Sequence, residues 1–225
     1  MTLSAVLFDL DGTLLDTAPD LGAAANHVLI HEGFAPLSDE VIRKTTSHGA
    51  LALLKAGLGD EIDALGAERL RTALLDYYAA HLCVGTRPYD GMVELIAWLD
   101  EQQIPWGVVT NKPAYLTEPL LAALPAFKRC GVTVSADTLP VRKPDPAPLY
   151  YACEQLGVVA ADALYVGDHV RDIDAGRNAG MRTAVALWGY LDEDPASWQA
   201  DLHFATVQAL HQWLYMEHKQ SPRAG

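Results

Sequence analysis

Apolar and polar positions change their rhythm twice along the chain. The first stretch is a short continuous run, Ala5-Val-Leu-Phe8, with no period-two alternation, running straight into Asp9. That pattern predicts a parallel strand buried on both faces, with Asp9 at its carboxyl end. Asp11-Gly12 is also a hairpin signal, but Thr13-Leu14-Leu15 does not resume an alternating strand. From Thr17 to Val84 no strand pattern recurs. Asp16-Thr-Ala-Pro-Asp20 reads as a helix start that continues to about His31. Leu37-Ser-Asp-Glu40 supplies a second cap with acidic residues in its first turn, and Glu61 to His81 carries Ala, Leu, Glu and Arg at helical spacing. The turn-rich Gly85-Thr-Arg-Pro-Tyr-Asp-Gly91 closes this helical insert, and Met92 to Gln102 is a further helix.

Beyond it, strand and helix alternate. Trp106 to Thr110, Val132 to Ser135, Leu164 to Val166, Thr183 to Leu187 and Leu202 to Ala205 are short apolar runs. Helical segments at Tyr115 to Leu124, Ala147 to Leu156, Ile173 to Ala179 and Val207 to Glu217 separate them. Such alternation implies βαβ units and a parallel sheet. The expected fold class is therefore α/β, a Rossmann-like parallel sheet over residues 1–16 and 85–225 with a helical domain, residues 17–84, inserted after the first strand. Gln220 to Gly225 reads as a frayed tail.

Composition narrows the partners. Sixteen basic against 29 acidic residues leave a formal charge of −13, which disfavours a nucleic-acid partner. Cys83, Cys130 and Cys153 form no CxxC pair and are odd in number, as expected of packed thiols in a reducing compartment. The first strand starts close to Met1, which leaves no room for a signal peptide, and no apolar run is long enough to cross a bilayer. A cytoplasmic protein with no membrane association is expected, acting as a monomer or a homodimer.

The carboxylates suggest chemistry. Asp9 and Asp11 would be ionised at neutral pH, and a carboxylate can attack an electrophile without a base to activate it. Two carboxylates facing a phosphate dianion would repel it, so the pair makes sense with a divalent cation between them; hard oxygen ligands favour Mg²⁺. Later strand ends add polar groups. Val108-Val-Thr-Asn-Lys-Pro113 brings a hydroxyl, an amide and a cation to one strand end, although Thr110-Asn111 could be only a helix cap. In Arg142-Lys-Pro-Asp-Pro146 the prolines make a rigid approach to a helix. Ala163-Leu-Tyr-Val-Gly-Asp-His-Val-Arg-Asp172 leads a buried strand into Asp168, with Asp172 one helical turn on; an acidic helix terminus explains Asp172 but not Asp168.

Asp9-Leu-Asp11-Gly-Thr13 resembles the opening motif of the haloacid dehalogenase superfamily, and Thr110, Lys143 and Asp168 match its second, third and fourth motifs in order. The resemblance covers nearly the whole chain and implies that the helical insert is a cap. It implies an aspartyl-phosphate mechanism, with Asp9 as nucleophile and Asp11 as general acid and base. Thr110 and Lys143 would serve the phosphoryl group, and Lys143 would offset its charge. Mg²⁺ would be held by Asp9, the Asp11 backbone carbonyl and Asp168, with Asp172 behind them holding metal waters or orienting neighbours. Dehalogenases lack the second aspartate, so Asp11 points to phosphoryl transfer.

The Thr110-Asn111-Lys112-Pro113 run narrows the resemblance to the phosphoglycolate phosphatase-like branch, and adds Asn111 to the phosphate-binding set. Asp172-Ile-Asp-Ala-Gly-Arg177, Trp188-Gly-Tyr190 and Asp194 to Asp201 are similar to the N-acetylmuramic acid 6-phosphate phosphatases within it. The implied partner is a small phosphorylated metabolite. A phosphosugar mutase of the β-phosphoglucomutase type, which returns the phosphoryl group to a sugar hydroxyl, is the alternative. A non-catalytic binding module is disfavoured because the whole motif set is present. In the insert, Arg43, Lys44 and Ser47-His48-Gly49 are candidates for substrate contact, Gly49 because bare backbone can approach a ligand closely. His169 beside the metal aspartate reads as a rim contact.

Overall fold

A computed structural model describes residues 3–220; the expected tail lies, past Gln220, outside the described residues. The chain opens with β1 (Ala5–Phe8) and β2 (Leu15–Asp16), followed by five helices: α1 (Ala18–His31), α2 (Asp39–Thr46), α3 (Ala50–Leu58), α4 (Glu61–Leu65) and α5 (Ala67–Ala80). Then come β3 (Arg87–Pro88), α6 (Met92–Glu101), β4 (Trp106–Val109), α7 (Ala114–Ala122), β5 (Val132–Val134) and α8 (Ala147–Leu156). The last part is β6 (Ala163–Gly167), α9 (Val170–Asn178), β7 (Arg182–Ala186), β8 (Leu202–Phe204) and α10 (Val207–Gln220). Two compact units result, one from the chain up to Leu14 and from Pro88 onward, the other from Leu15–Arg87.

The first unit is the α/β architecture that the alternation predicts. Six parallel strands lie in the order β5-β4-β1-β6-β7-β8. β1 is central because all four of its residues are apolar and fully buried, which both faces of an inner strand demand. Ala5 and Leu7 pack with Leu149, Ala152 and Cys153 of α8 and with Ala175 of α9. The chain leaves β1 toward β4 and β5 on one side and later returns through β6 on the other. β1 is thus the point where the strand order reverses, and the crevice for ligands in such sheets lies at the carboxyl ends beside that point. Burial pushes the Cys153 thiol up to about 11, and raises Cys130 and Cys83 as well, so the three free cysteines are packed thiols of low reactivity.

The second unit contains α1 to α5. Ser38 caps α2, its hydroxyl accepting the Val41 N–H at 3.4 Å, while Asp39 and Glu40 occupy the first turn. Between Glu61 and His81, where the spacing predicts continuous helix, the chain breaks at Gly66 (φ 89°). Its left-handed backbone ends α4 and starts α5 in a single residue, a conformation costly to any residue with a Cβ. α3 and the two-residue strands β2 and β3, which pair with each other, are elements that the hydrophobic pattern does not reveal. Asp20, buried in the first turn of α1, accepts the Gly85 and Thr86 N–H groups at 2.6 and 3.0 Å and the Thr86 hydroxyl at 2.7 Å, tying the start of the insert to its end. No helix among the described residues is long and apolar enough to cross a membrane.

Candidate active site

Strand register brings three of the sequence-predicted side chains to one edge. Phe8 lies opposite Val108 on one side and Val166 on the other, so Asp9, Thr110 and Asp168 follow the carboxyl ends of three adjacent strands. The Asp9 N–H donates to the Val166 carbonyl and the Thr110 N–H to that of Val134, both at 2.9 Å, so the parallel ladder extends into the site itself.

Asp9 is buried, and its Oδ1 accepts the Leu10 N–H at 2.7 Å and the Lys143 ammonium at 2.8 Å. Lys143, though separated from Asp9 by most of the chain, is 2% exposed. Its Nζ also donates to Asp172 Oδ1 at 2.7 Å and to the Tyr165 hydroxyl at 2.8 Å. These three acceptors match the three protons of an ammonium, which is how a charge this deep is tolerated. Tyr165 passes its own proton to the Val109 carbonyl at 2.9 Å. Burial first, then the charges of Asp172 and Asp9, hold its phenol well above the usual tyrosine range, so it stays a donor.

Asn111 secures Lys143 from the other side. Its amide donates to the Lys143 carbonyl at 3.0 Å and accepts the Lys143 N–H at 3.1 Å, so both amide atoms work on the loop that carries the lysine. The cap reading of Thr110-Asn111 does not apply: the first turn of α7 is capped instead by Asp137, which accepts the Ala114 N–H at 2.9 Å. Thr110 Oγ1 accepts the Lys112 N–H at 3.2 Å.

Asp168 is 1% exposed. Its Oδ1 accepts the Thr13 hydroxyl at 2.9 Å and its Oδ2 the Tyr190 N–H at 2.8 Å. Gly12 (φ 85°) runs so close that a Cβ there would collide with the Asp168 carboxylate and the Tyr190 ring. The Thr13 carbonyl in turn accepts the Trp188 indole N–H at 3.0 Å. Burial, then repulsion from Asp9 and Asp172, pushes the Asp168 carboxyl up to about 8. The Tyr190 N–H and the Thr13 hydroxyl that its oxygens accept favour the carboxylate and oppose that shift without cancelling it. Asp172, at the start of α9, receives the His169 N–H at 3.1 Å in a capping box while it holds Lys143. It is both a helix-terminus residue and part of the charge cluster.

Oxygens of Asp9, Asp168 and Asp172 all lie within 4.8 Å of one another. Two of the three buried carboxylates, Asp9 and Asp172, share one lysine, and the oxygens of Asp168 beside them are presented as acceptors, so the cluster carries an excess negative charge that a hard cation would neutralise. The donor set fits such an ion. Asp11 lies at the rim, 19% exposed, in contact with Lys112. Gly49 belongs to the helical unit, exposed at the N-cap of α3 with φ 86°. There Arg43 pairs with Asp16 at 2.7 Å and Lys44 with Glu40 at 2.8 Å. His169 caps α9, its Nδ1 accepting the Arg171 N–H at 3.2 Å, and stacks near Trp198.

Tyr165 and the Tyr190 N–H are parts of the site to which the sequence assigns no role, and Thr13 and Lys112 stand in its motifs without an assigned role. Tyr165 is marked only as the one hydroxyl-bearing residue in an otherwise aliphatic buried strand.

Known proteins resemble this chain in sequence and in fold. The family described as haloacid dehalogenase-like hydrolase matches residues 6–186. The N-acetylmuramic acid 6-phosphate phosphatase of Pseudomonas aeruginosa is 44% identical over 204 residues, covering 90% of each chain. The phosphoglycolate phosphatase of Xanthomonas campestris pv. campestris is 44% identical over 200 residues, 88% of this chain and 90% of that one. Among solved structures, a "predicted phosphoglycolate phosphatase" from Haemophilus somnus superposes with a TM-score of 0.84 at 27% identity, covering 95% of this chain and 98% of that chain.

Proposed function

The chain belongs to the haloacid dehalogenase-like hydrolases, and from that premise we propose that it is a Mg²⁺-dependent phosphatase acting through an aspartyl-phosphate on Asp9. Its substrate is a small phosphate monoester, phosphoglycolate or N-acetylmuramic acid 6-phosphate, the esters named in the relatives. The observation that carries the reading is the shared ammonium of Lys143, which holds Asp9 and Asp172 together beside Asp168.

In the first half-reaction an Asp9 carboxylate oxygen bonds to phosphorus while the bond to the ester oxygen breaks. Asp11 gives its proton to the departing alkoxide. In the second half Asp11 takes a proton from water, the water oxygen bonds to phosphorus, and the bond to Asp9 breaks. Asp9 is returned and Asp11 is protonated again. Lys143 holds the nucleophile in place and offsets its charge, Asn111 fixes the backbone of Lys143, and Thr110 offers a hydroxyl to the phosphoryl group. Asp9, Asp168 and the Asp11 backbone carbonyl would hold Mg²⁺, with Asp172 behind them. When bound, the ion neutralises the substrate dianion and polarises the phosphoryl oxygens. In the helical unit, the exposed backbone of Gly49 is assigned to substrate recognition as part of the same proposal.

Phosphate release should be followed across phosphoglycolate, N-acetylmuramic acid 6-phosphate, hexose phosphates and nucleotides, with and without Mg²⁺. One of the first two should exceed the rest by at least tenfold, and only with the ion. Uniformly weak rates would remove both substrate names, and transfer to a sugar hydroxyl in place of water would favour the mutase.

A further inference from the structure

Lys112 has no role in the reaction as described so far, yet it is among the most constrained side chains of the site. It follows β4 with its backbone held at three points. Its N–H donates to Thr110 Oγ1 at 3.2 Å, and its carbonyl accepts the Ala136 N–H at 3.0 Å and the Thr117 hydroxyl at 3.2 Å. The side chain is 5% exposed, and Nζ lies 3.0 Å from Asp11 Oδ1 and 3.3 Å from Oδ2.

A buried ion pair is poor evidence of stabilisation, because desolvating two charges costs about as much as their attraction returns. What such a pair does supply is orientation. Asp11 is a short side chain at the rim of the site, and without a partner its carboxyl would turn about two bonds. An ammonium that touches both oxygens, on a backbone that cannot shift, leaves one arrangement.

We propose that Lys112 is a positioning residue for Asp11, fixing the carboxyl in the orientation from which it delivers a proton to the leaving oxygen and then removes one from water. The proposal rests on the phosphatase reading, and it locates in the Thr110-Asn111-Lys112 segment a control on the proton-transfer steps distinct from the hydroxyl that Thr110 offers to the phosphoryl group and from the hold of Asn111 on Lys143.

The test compares wild type, Lys112→Met, Lys112→Gln, Asp11→Asn and the Asp11→Asn/Lys112→Met double variant, with Mg²⁺ present, on an alkyl and an aryl phosphate. An aryl phosphate leaves with little protonic help, so its first half-reaction is a control for everything except proton delivery. Losing an orienting partner typically costs ~10–100-fold in activity. Lys112→Met should lower kcat on the alkyl ester by that factor with KM nearly unchanged, and should lower the aryl burst by less than about threefold. Lys112→Gln, which keeps a donor toward one Asp11 oxygen, should recover part of the loss. The double variant should be no slower than Asp11→Asn alone, because Lys112 acts only through Asp11. Equal losses on both esters with a raised KM would overturn the proposal in favour of direct phosphate binding. Multiplying losses in the double variant, or unchanged kinetics in both single Lys112 variants, would overturn it too. Failure of the parent reading is seen separately, as wild type that forms no phosphoenzyme on Asp9.

Discussion

Charged residues are used in opposite ways in the two units. In the α/β unit two lysines are buried against aspartates: the Lys143 side chain is 1% exposed and bound to Asp9 and Asp172, and that of Lys112 is 5% exposed against Asp11. On the helix surfaces of the other unit two pairs lie in solvent, the side chains of Lys44 at 64% and Glu40 at 76%, and of Arg71 at 38% and Glu68 at 75%. Solvent screens the second kind almost completely. The first kind is sustained by mutual saturation of donors and acceptors, so removing one member exposes the others to the full cost of burial. Charge at the strand ends of one unit is buried and saturated, and on the helix surfaces of the other it is solvated.

The largest effect expected from breaking that contrast is at Lys143. Lys143→Met would leave Asp9 and Asp172 buried without a counter-charge, a loss of ~3–5 kcal/mol. At ~2–4 °C per kcal/mol for a chain of this size, thermal unfolding should shift down by roughly 6–20 °C, with loss of activity. A melting temperature within about 2 °C of wild type would show that the cluster is more solvated than its geometry implies.

Next comes the pH dependence of the metal-free protein. The folded-state value of Asp168 is raised from 3.8 to about 8, so the folded chain retains a proton that the unfolded chain releases. The contribution of this group to stability is therefore fully present below about pH 4, falls as pH rises, and is gone above about pH 8. A cation that binds only the folded state offsets the loss. Mg²⁺ should raise the melting temperature more at pH 8 than at pH 5, and Asp168→Asn should flatten that difference. An equal Mg²⁺ shift at both pH values, or one unaltered in the variant, would separate the ion from this cluster.

The smallest effect belongs to the helical unit. Arg71→Ala, which removes a solvent-exposed pair with Glu68, should move the melting temperature by no more than about 1 °C. A larger drop would mean that the unit's charges carry structural weight after all.

The same contrast explains what could be read before any coordinates. Parallel strands announce themselves because both faces must be apolar, and their carboxyl ends are the only places where Asp9, Thr110 and Asp168 could break the pattern. Lys143 was readable only through the motif resemblance, since a lysine between prolines otherwise suggests surface. The roles of Tyr165 and Lys112 depend on distances between segments far apart in sequence, which no local period encodes. In the helical unit, amphipathic periodicity reveals that helices exist but not that Gly66 divides one of them or that Asp20 ties Gly85 and Thr86 back to α1.

The covalent step can be tested most directly in Asp11→Asn. The amide keeps the backbone carbonyl for Mg²⁺ but cannot deprotonate water, a role worth ~10²–10⁴-fold. With an aryl phosphate the first half-reaction should proceed and the second should stall, so rapid-quench mass spectrometry should find phosphate accumulating on Asp9. A burst of aryl product with Asp9 unmodified would contradict the assignment of Asp9 as nucleophile and Asp11 as the base that releases it.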